Sequence, residues 1–156
     1  FYTRGMSFID MAYLKKSDLK NGTITYRRRK TGQQLTVKWE KCMEDIIAKY
    51  RENTATRYLL SIITNPCSDE RTQYRNAICR INVALKEVVG LAGLNIPLTM
   101  HVARHCWASV AKSKNIPLSV ISEGMGHDSE ETTRIYLASL DTSVVDKANS
   151  LILKDF

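Results

Sequence analysis

Two short segments between residues 99 and 136 carry most of the chemical information in this chain: TMHVARHCWAS (residues 99–109) and GMGHDSEETTRIY (residues 124–136). In the first, His101 and Arg104 are three residues apart, so on a helix they share a face and can donate hydrogen bonds to one phosphate. The second contains a Gly-Met-Gly-His turn and, nine residues after His127, the phenol of Tyr136. A phenol is a competent nucleophile when neighbouring groups manage its proton. Together the two segments predict attack on a phosphodiester.

The same residues resemble the catalytic domain of the tyrosine recombinases, also called the phage integrase family. Arg104 is followed by His105 and by small and apolar residues, and GMGH precedes RIYLASL (residues 134–140) at the family's interval. The resemblance continues in RGMSFIDMAYLKKSDL (residues 4–19), which is similar to the family's first arginine motif, and in RRRKTGQQLTV (residues 27–37), which is similar to its lysine-bearing hairpin. It covers nearly the whole chain and implies a mainly α fold with a small antiparallel β-sheet (α+β).

The activity that this resemblance implies is site-specific DNA recombination or integration, with strand cleavage and rejoining through a 3'-phosphotyrosyl intermediate. Tyr136 is the implied nucleophile. Arg104 and His101 would stabilise the negative charge that builds on the nonbridging oxygens. His127 would be a further phosphate donor, and Lys30 the general acid that protonates the leaving 5' oxygen. Rejoining reverses the chemistry, so no metal, ATP or other cofactor is expected.

One position departs from the family's pattern. With Asp10 and Leu14 in register, the place of the first catalytic arginine is held by Ser7, and Arg4 lies three residues earlier. A serine hydroxyl can donate to a phosphate oxygen but brings no charge. We therefore expect Arg4 to supply the missing catalytic guanidinium, with Ser7 as an auxiliary DNA contact. The alternative is that the protein works without a first arginine. Asp10 is interpreted as a structural partner for a cationic side chain.

The net charge of the chain favours a polyanionic partner. Lysines and arginines outnumber aspartates and glutamates by 23 to 16, which gives a net charge of +7. Charge alone is a modest indication, but with the motifs it favours double-stranded DNA. A run of arginines is commonly just a solvated strand face. Because this run lies in the hairpin expected to approach DNA, we interpret Arg27, Arg28 and Arg29 as contacts to the phosphate backbone.

Length and composition indicate one domain. A chain of 156 residues with 44% hydrophobic content can bury one core but does not easily build two. The prediction is a single catalytic domain over residues 1–156, as a fragment that lacks an N-terminal DNA-binding region. No apolar run approaches the roughly 20 residues that span a bilayer. We therefore expect no membrane association, and a cytoplasmic, nucleoid-associated location.

The cysteines and histidines do not predict a metal site. The four cysteines form no CxxC pair and are interpreted as reduced core residues. They are Cys42, Cys67, Cys79 and Cys106. His101 and His105 have the i, i+4 spacing of two metal ligands, but the glutamate of an HExxH motif is missing and no third ligand is suggested. His105 is therefore assigned a packed, structural role.

Hydrophobic periodicity and turn residues predict mostly helices around one hairpin. The hairpin strands are residues 23–28 and 33–38, joined by a turn that contains Gly32. Residues 59–63 are predicted to be a short extended segment. Helices are predicted for residues 7–14, 39–50, 68–91, 99–113 and 129–137, and for a short stretch opened by Pro117.

Two alternatives to a recombinase remain open. A type IB topoisomerase-like enzyme would relax DNA by the same phosphotyrosine chemistry without exchanging partners. An inactive DNA-binding remnant would be favoured if Tyr136 or Arg104 were missing, and neither is. The resemblance also implies a homo-oligomer, a synaptic tetramer on DNA. The amphipathic residues 142–153 could dock on a neighbouring subunit in it, or fold back onto their own core.

Overall fold

The computed structural model describes residues 1–50, 55–95 and 97–138. The described chain is mainly helical with one small antiparallel sheet, which confirms the predicted fold class. In chain order its elements are α1 (Phe8–Ala12), β1 (Leu19–Lys20), β2 (Thr23–Arg27), β3 (Gln34–Lys38), α2 (Lys41–Ile47), α3 (Glu70–Leu91), α4 (Met100–Ser113), α5 (Leu118–Met125) and α6 (Glu130–Ala138). A single 3-10 turn, Lys16–Asp18, precedes β1.

The sheet has the order β1-β2-β3 with both pairs antiparallel. Ile24 lies opposite Val37 and Tyr26 opposite Leu35. All four side chains are buried because alternate residues of a strand point to the same face. The hairpin is as predicted, and the sheet has one further strand, β1, that the sequence analysis did not predict. The additional strand, β1, has two residues, which is too short for an alternating pattern to show in the sequence.

One apolar cluster joins the inner face of the sheet to the segments around it. Met6 and Leu14, on either side of α1, and Met43 of α2 pack against the buried residues of β2 and β3. Burying apolar surface of this kind is the main stabilising contribution to folding. The cluster holds α1 against the hairpin, which places Asp10 of α1 at the base of the hairpin loop.

Side-chain caps set the starts of three helices close to their predicted positions. Ser7, Asp69 and Thr99 each accept a hydrogen bond from a backbone N–H in the first turn of α1, α3 and α4. Such caps satisfy N–H groups that have no partner inside the helix. Pro117 precedes α5, as its fixed φ predicts.

A second apolar cluster holds α4, α5 and α6 together. Its buried members are Ala108, Ala111, Ile121, Met125 and Leu137. The small residues on α4 and a glycine on α5 allow close approach, since a Cβ added at Gly124 would lie 3.0 Å from Trp107. This packing brings the end of α5 and the body of α6 alongside α4.

Two sequence predictions fail in this part of the molecule. Residues 59–63 do not form a strand: only Tyr58, just before them, makes a bridge, with Lys15. All four cysteines are free, as predicted. Cys42 is half-buried and packs against the first apolar cluster, but the other three are exposed and are not core residues. Within the described ranges no helix is both long and apolar enough to cross a membrane. Residues 142–153 lie outside the described residues.

Candidate active site

Tyr136 of α6 lies among three histidines. Its ring stacks on the imidazole of His105, with 4.0 Å between ring centroids and 4° between the planes. His127 and His101 approach the same ring edge-on, at 5.6 and 5.9 Å. His101 and His105 are one helical turn apart on α4, and their centroids lie 4.6 Å from each other. The structure thus brings together the predicted nucleophile and both predicted histidines, and adds His105.

The phenol of Tyr136 is held in its neutral form. Its ring is half-buried, and within the described residues its Oη is buried without a hydrogen-bond partner. Burial raises the pKa of Tyr136 to about 12, although the positive charge of Arg104 opposes this shift. Desolvation disfavours the phenolate. The hydroxyl therefore stays protonated at neutral pH.

Arg104 is a buried donor that is fixed in place by two backbone carbonyls. Its Nη1 donates to Gly5 O at 2.7 Å and its Nη2 to Met125 O at 2.5 Å, and the residue is 6% exposed. Gly5 has a φ of +67°, and a Cβ there would lie 3.0 Å from Arg104 Cα. Only glycine tolerates both conditions. The guanidinium is therefore pre-organised, as a donor to transition-state charge needs to be.

The Gly-Met-Gly-His turn fixes His127. Gly126 ends α5 with a φ of +64°, and His127 N–H donates to Ser122 O at 3.1 Å. The imidazole Nδ1 lies 2.8 Å from the hydroxyl of Thr133, which is fully buried on α6. A hydrogen bond to one ring nitrogen sets the role of the other. Nε2 is thereby left to act on a ligand.

His127 is surrounded by positive charge. Burial, together with the charges of Arg104, Arg28 and Lys30, lowers the pKa of His127 to about 4, and the negative charge of Asp128 opposes this shift. The imidazole is consequently neutral at pH 7 and carries one N–H rather than the two of a cation. The same result shows that cations from α4 and from the hairpin converge on one place.

The hairpin residues differ in exposure. Arg27, Arg29 and Lys30 are exposed, which fits their predicted approach to DNA, but Arg28 is 7% exposed. Its Nη1 donates to Gly126 O. Arg28 was grouped with its neighbours as a contact to the outer phosphate backbone, and its burial does not fit that interpretation. The strand alternation of Ile24 and Tyr26 continues to residue 28 and was the signal for an inward side chain.

Neither Arg4 nor Ser7 is placed as the sequence predicts. Arg4 precedes α1 and has a left-handed backbone with a φ of 55°. Its exposed guanidinium donates to Thr36 O at 3.3 Å. The hydroxyl of Ser7 donates to Asp10 Oδ2 at 2.6 Å and caps α1. Both groups therefore bond to other parts of the protein.

Asp10 connects α1 to the hairpin loop. Its Oδ1 accepts a hydrogen bond from Arg29 N–H at 2.9 Å, and its Oδ2 lies 3.9 Å from Arg28 Nε. The carboxylate is buried. These contacts fit its interpretation as a structural partner of a cation. The bonds to the hairpin, like the contact of Thr133 with His127, were not predicted, because sequence spacing does not show which distant segments meet.

The part of the chain that the structure describes contains no group of three or more histidine, cysteine, aspartate or glutamate side chains able to hold a metal ion. His101 and His105 lie edge to face. We assign no metal role to this pair.

Comparison with solved structures shows that the chain has the fold of known recombinases. The crystal structure of XerA recombinase matches with a TM-score of 0.65 and 21% identity over 95% of this chain and 53% of that one. XerH site-specific recombinase bound to its difH substrate matches with a TM-score of 0.64 and 20% identity, over 96% and 43%. The Tn1549 transposon integrase in complex with a circular intermediate DNA matches with a TM-score of 0.63 and 16% identity. The match covers 98% of this chain and 55% of that one. The chain thus spans about half the length of these proteins. A search of curated proteins gave no match.

The family assignment rests on the sequence match together with this fold. A family model described as the phage integrase family matches residues 2–143, which includes every site residue discussed above. Its span begins before the glycine that supports Arg104 and ends beyond Tyr136. Since the match covers most of the chain and the fold agrees with it, this chain belongs to the phage integrase family, a family of tyrosine recombinases.

Proposed function

We propose that residues 1–156 form a single catalytic domain of a site-specific DNA recombinase or integrase that acts on double-stranded DNA. One observation carries the proposal: a tyrosine phenol, a buried guanidinium and two imidazoles meet from α4, the turn after α5, and α6. A net charge of +7 supports a nucleic-acid partner. So do the XerH and Tn1549 structures, which contain DNA.

The chemistry follows from the groups at the site. Tyr136 Oη attacks the phosphorus and its proton passes to solvent water as the new P–O bond forms, while the P–O5' bond breaks with its electron pair on the 5' oxygen, which takes a proton from Lys30. Arg104 and His101 donate to the nonbridging oxygens, where negative charge accumulates, and neutral His127 donates through one N–H. The product is a 3'-phosphotyrosyl link and a free 5' hydroxyl.

Lys30 completes the step by protonating the leaving 5' oxygen. It is exposed on the hairpin loop, and its positive charge contributes to the lowered pKa of His127, which supports a position near the other cations. An alkoxide is a poor leaving group unless it is protonated, so an acid at this point accelerates cleavage. Arg27 and Arg29, exposed on the same hairpin, would hold the DNA backbone.

Exchange of strands between two duplexes requires four cleaved strands. Each Tyr136 can hold one strand, so the proposed recombinase acts as a tetramer of identical chains on DNA. Rejoining then occurs when the 5' hydroxyl of a different strand attacks the phosphotyrosine. The phosphodiester energy is kept in the covalent intermediate, which removes any need for ATP.

The test uses the full-length protein and a nicked suicide duplex. The recombination site is first found by selecting tight-binding duplexes from a randomised pool, and the nick is then moved along that site. We expect a covalent adduct with wild-type protein and with Tyr50→Phe, a control at an exposed tyrosine. Tyr136→Phe should bind DNA normally and form no adduct. An adduct at wild-type yield in Tyr136→Phe would overturn the assignment.

A second readout separates recombination from topoisomerase activity. Two labelled duplexes of different length are incubated with the protein, and a supercoiled plasmid that carries the site is tested in parallel. Hybrid-length products show partner exchange and support a recombinase. Plasmid relaxation without hybrid products would instead show a topoisomerase.

A further inference from the structure

A phosphate in this site needs more positive charge than Arg104 can provide. Arg104 brings one positive charge, and each of its terminal nitrogens gives one of its two N–H groups to a backbone carbonyl, of Gly5 or of Met125. A pentavalent phosphorane has two charged nonbridging oxygens, and charge on each is best stabilised by fixed donors. Arg4 and Ser7, the two residues that the sequence suggested as further donors, do not supply this charge. Arg4 is exposed and donates to Thr36 O, and Ser7 donates to Asp10.

The side chains of Arg28 and Arg104 both bind the turn at the end of α5. Arg104 Nη2 donates to Met125 O and Arg28 Nη1 donates to Gly126 O. These carbonyls belong to consecutive residues, whose Cα atoms are about 3.8 Å apart. The two guanidiniums are therefore neighbours, although one comes from α4 and the other from the hairpin. Two like charges held together in a buried place are unfavourable unless an anion joins them.

The protein itself provides too little negative charge for this pair. Asp10 is the carboxylate nearest to Arg28 among the recorded ion pairs, and it lies 3.9 Å from Arg28 Nε. Its oxygens also accept from Ser7 Oγ and Arg29 N–H. In the described part of the chain, Arg28 Nε is buried and has no hydrogen-bond partner. Asp10 is thus shared among Arg28, Ser7 and the N–H of Arg29, and no ion pair of Arg104 is found in the described residues, which leaves a positive charge and a free donor for a ligand anion.

The close approach of Arg28 to the turn is built into the fold. A Cβ added at Gly126 would lie 2.7 Å from Arg28 Cδ, so glycine makes room for the arginine side chain. Asp10 fixes the backbone next to Arg28, because its Oδ1 accepts a hydrogen bond from the N–H of Arg29. The charge of Arg28 reaches both His127 and Arg104. The side chain is thus positioned among the residues of the site and not on the outer surface of the hairpin.

We propose that Arg28 is a second phosphate-binding guanidinium, which forms with Arg104 a clamp on the scissile phosphate and takes the place of the arginine that Ser7 replaces. Asp10 acts as its positioning residue. This inference rests on the proposed function, since it concerns the same phosphate. It differs from the expectation from sequence, in which Arg4 supplied the charge.

The experiment compares cleavage of two suicide duplexes by the full-length protein at matched DNA occupancy. One has a normal scissile phosphate, and in the other a neutral methyl group replaces one nonbridging oxygen. Arg28→Gln removes the charge while its amide can still donate to Gly126 O. Arg71→Ala, an exposed arginine on α3, is the control and should cleave both duplexes at wild-type rates.

We expect Arg28→Gln to slow cleavage of the normal phosphate by about 100- to 1,000-fold, as for loss of one fixed oxyanion donor. On the methylphosphonate the loss should shrink to roughly tenfold or less, because less charge needs stabilising. Wild-type rates in Arg28→Gln, or an equal loss on both duplexes, would overturn the inference. Thermal melting checks folding. Should Arg28→Gln fail to fold, Arg28→Met, which also removes the charge, is compared in the same way, with the same selective loss expected.

Failure of this inference is distinct from failure of the proposed function. If wild-type protein forms no adduct with the normal phosphate, the recombinase assignment itself is wrong. If wild-type protein forms the adduct and the Arg28 variants show no selective loss, the assignment stands and the second guanidinium is elsewhere. A parallel Arg4→Ala variant tests that outcome directly.

Discussion

The distances around Gly126 predict how much a substitution there would destabilise the protein. Gly126 has a φ of +64°, and a Cβ there would lie 2.7 Å from both Arg28 Cδ and Leu35 Cδ1. Gly126→Ala therefore adds two costs. The left-handed backbone costs a non-glycine residue about 1–2 kcal/mol, and overpacking of a fitted site costs about 1–3 kcal/mol more. The expected loss in free energy of unfolding is about 2–5 kcal/mol.

Gly22→Ala provides a matched control. Its φ is +69°, nearly that of Gly126, and nothing lies within 4 Å of an added Cβ. It should lose only the backbone contribution, about 1–2 kcal/mol. The difference between the two variants isolates the crowding of Arg28 and Leu35. It should also decrease in a Leu35→Ala background, since contacting residues do not contribute additively.

The assay is urea unfolding of the purified chain, followed by the fluorescence of its two tryptophans, Trp39 and Trp107. The midpoint is read together with the slope, because a change in slope would indicate a different unfolded state. Equal destabilisation by Gly126→Ala and Gly22→Ala would refute the reasoning, since it would show that Arg28 does not approach the turn closely.

Three further predictions concern single groups of the site. Lys30→Ala should slow cleavage. A substrate with sulfur in place of the bridging 5' oxygen should restore the rate, because a thiolate leaves without protonation. If this substrate rescued Arg104→Ala but not Lys30→Ala, the general acid would be another residue. Thr133→Val removes the partner of His127 Nδ1 and should lower the free energy of unfolding by about 1–3 kcal/mol. The control Thr132→Val, at an exposed residue, should change it by about 0.5 kcal/mol or less. Equal effects of the two variants would argue against the buried hydrogen bond. His127 keeps a native pKa of about 4 against an ordinary value of 6.5, so the unfolded chain binds the extra proton as pH falls from 6.5 toward 4, and stability should fall in that window. An NMR titration of the His127 ring should show a midpoint near 4, and one at or above 6.5 would contradict the burial argument.

Local sequence signals predicted most of the elements. Asp69 and Thr99 are capping residues, and the helices that follow begin directly after them. Gly126 marks the end of α5 because few other residues adopt its φ. Errors occurred where signals were short or ambiguous. β1 has two residues, and residues 59–63 are apolar without a clear period.

The three exposed cysteines show a different limit of sequence analysis. Cys79 and Cys106 lie on faces of α3 and α4 that are exposed, although cysteine is among the more often buried residue types. Composition predicts burial only on average, whereas the packing of each helix decides which face is covered. The same limit applies to Arg28, whose three neighbours in sequence are exposed.

The sequence by itself determined the family, the fold class and the residues that approach Tyr136 from its own neighbourhood. The spacing of His101 and Arg104 puts them on one helix face, and the resemblance to the family grouped them with His127 and Tyr136, which the structure brings together. Only the tertiary structure showed that Arg28, from the hairpin, lies beside Arg104. Arg28 and Gly126 are 98 residues apart, and their contact depends on the packing of the hairpin against the turn after α5. Local spacing fixes geometry within an element, but packing of separate elements decides which buried charge a ligand meets.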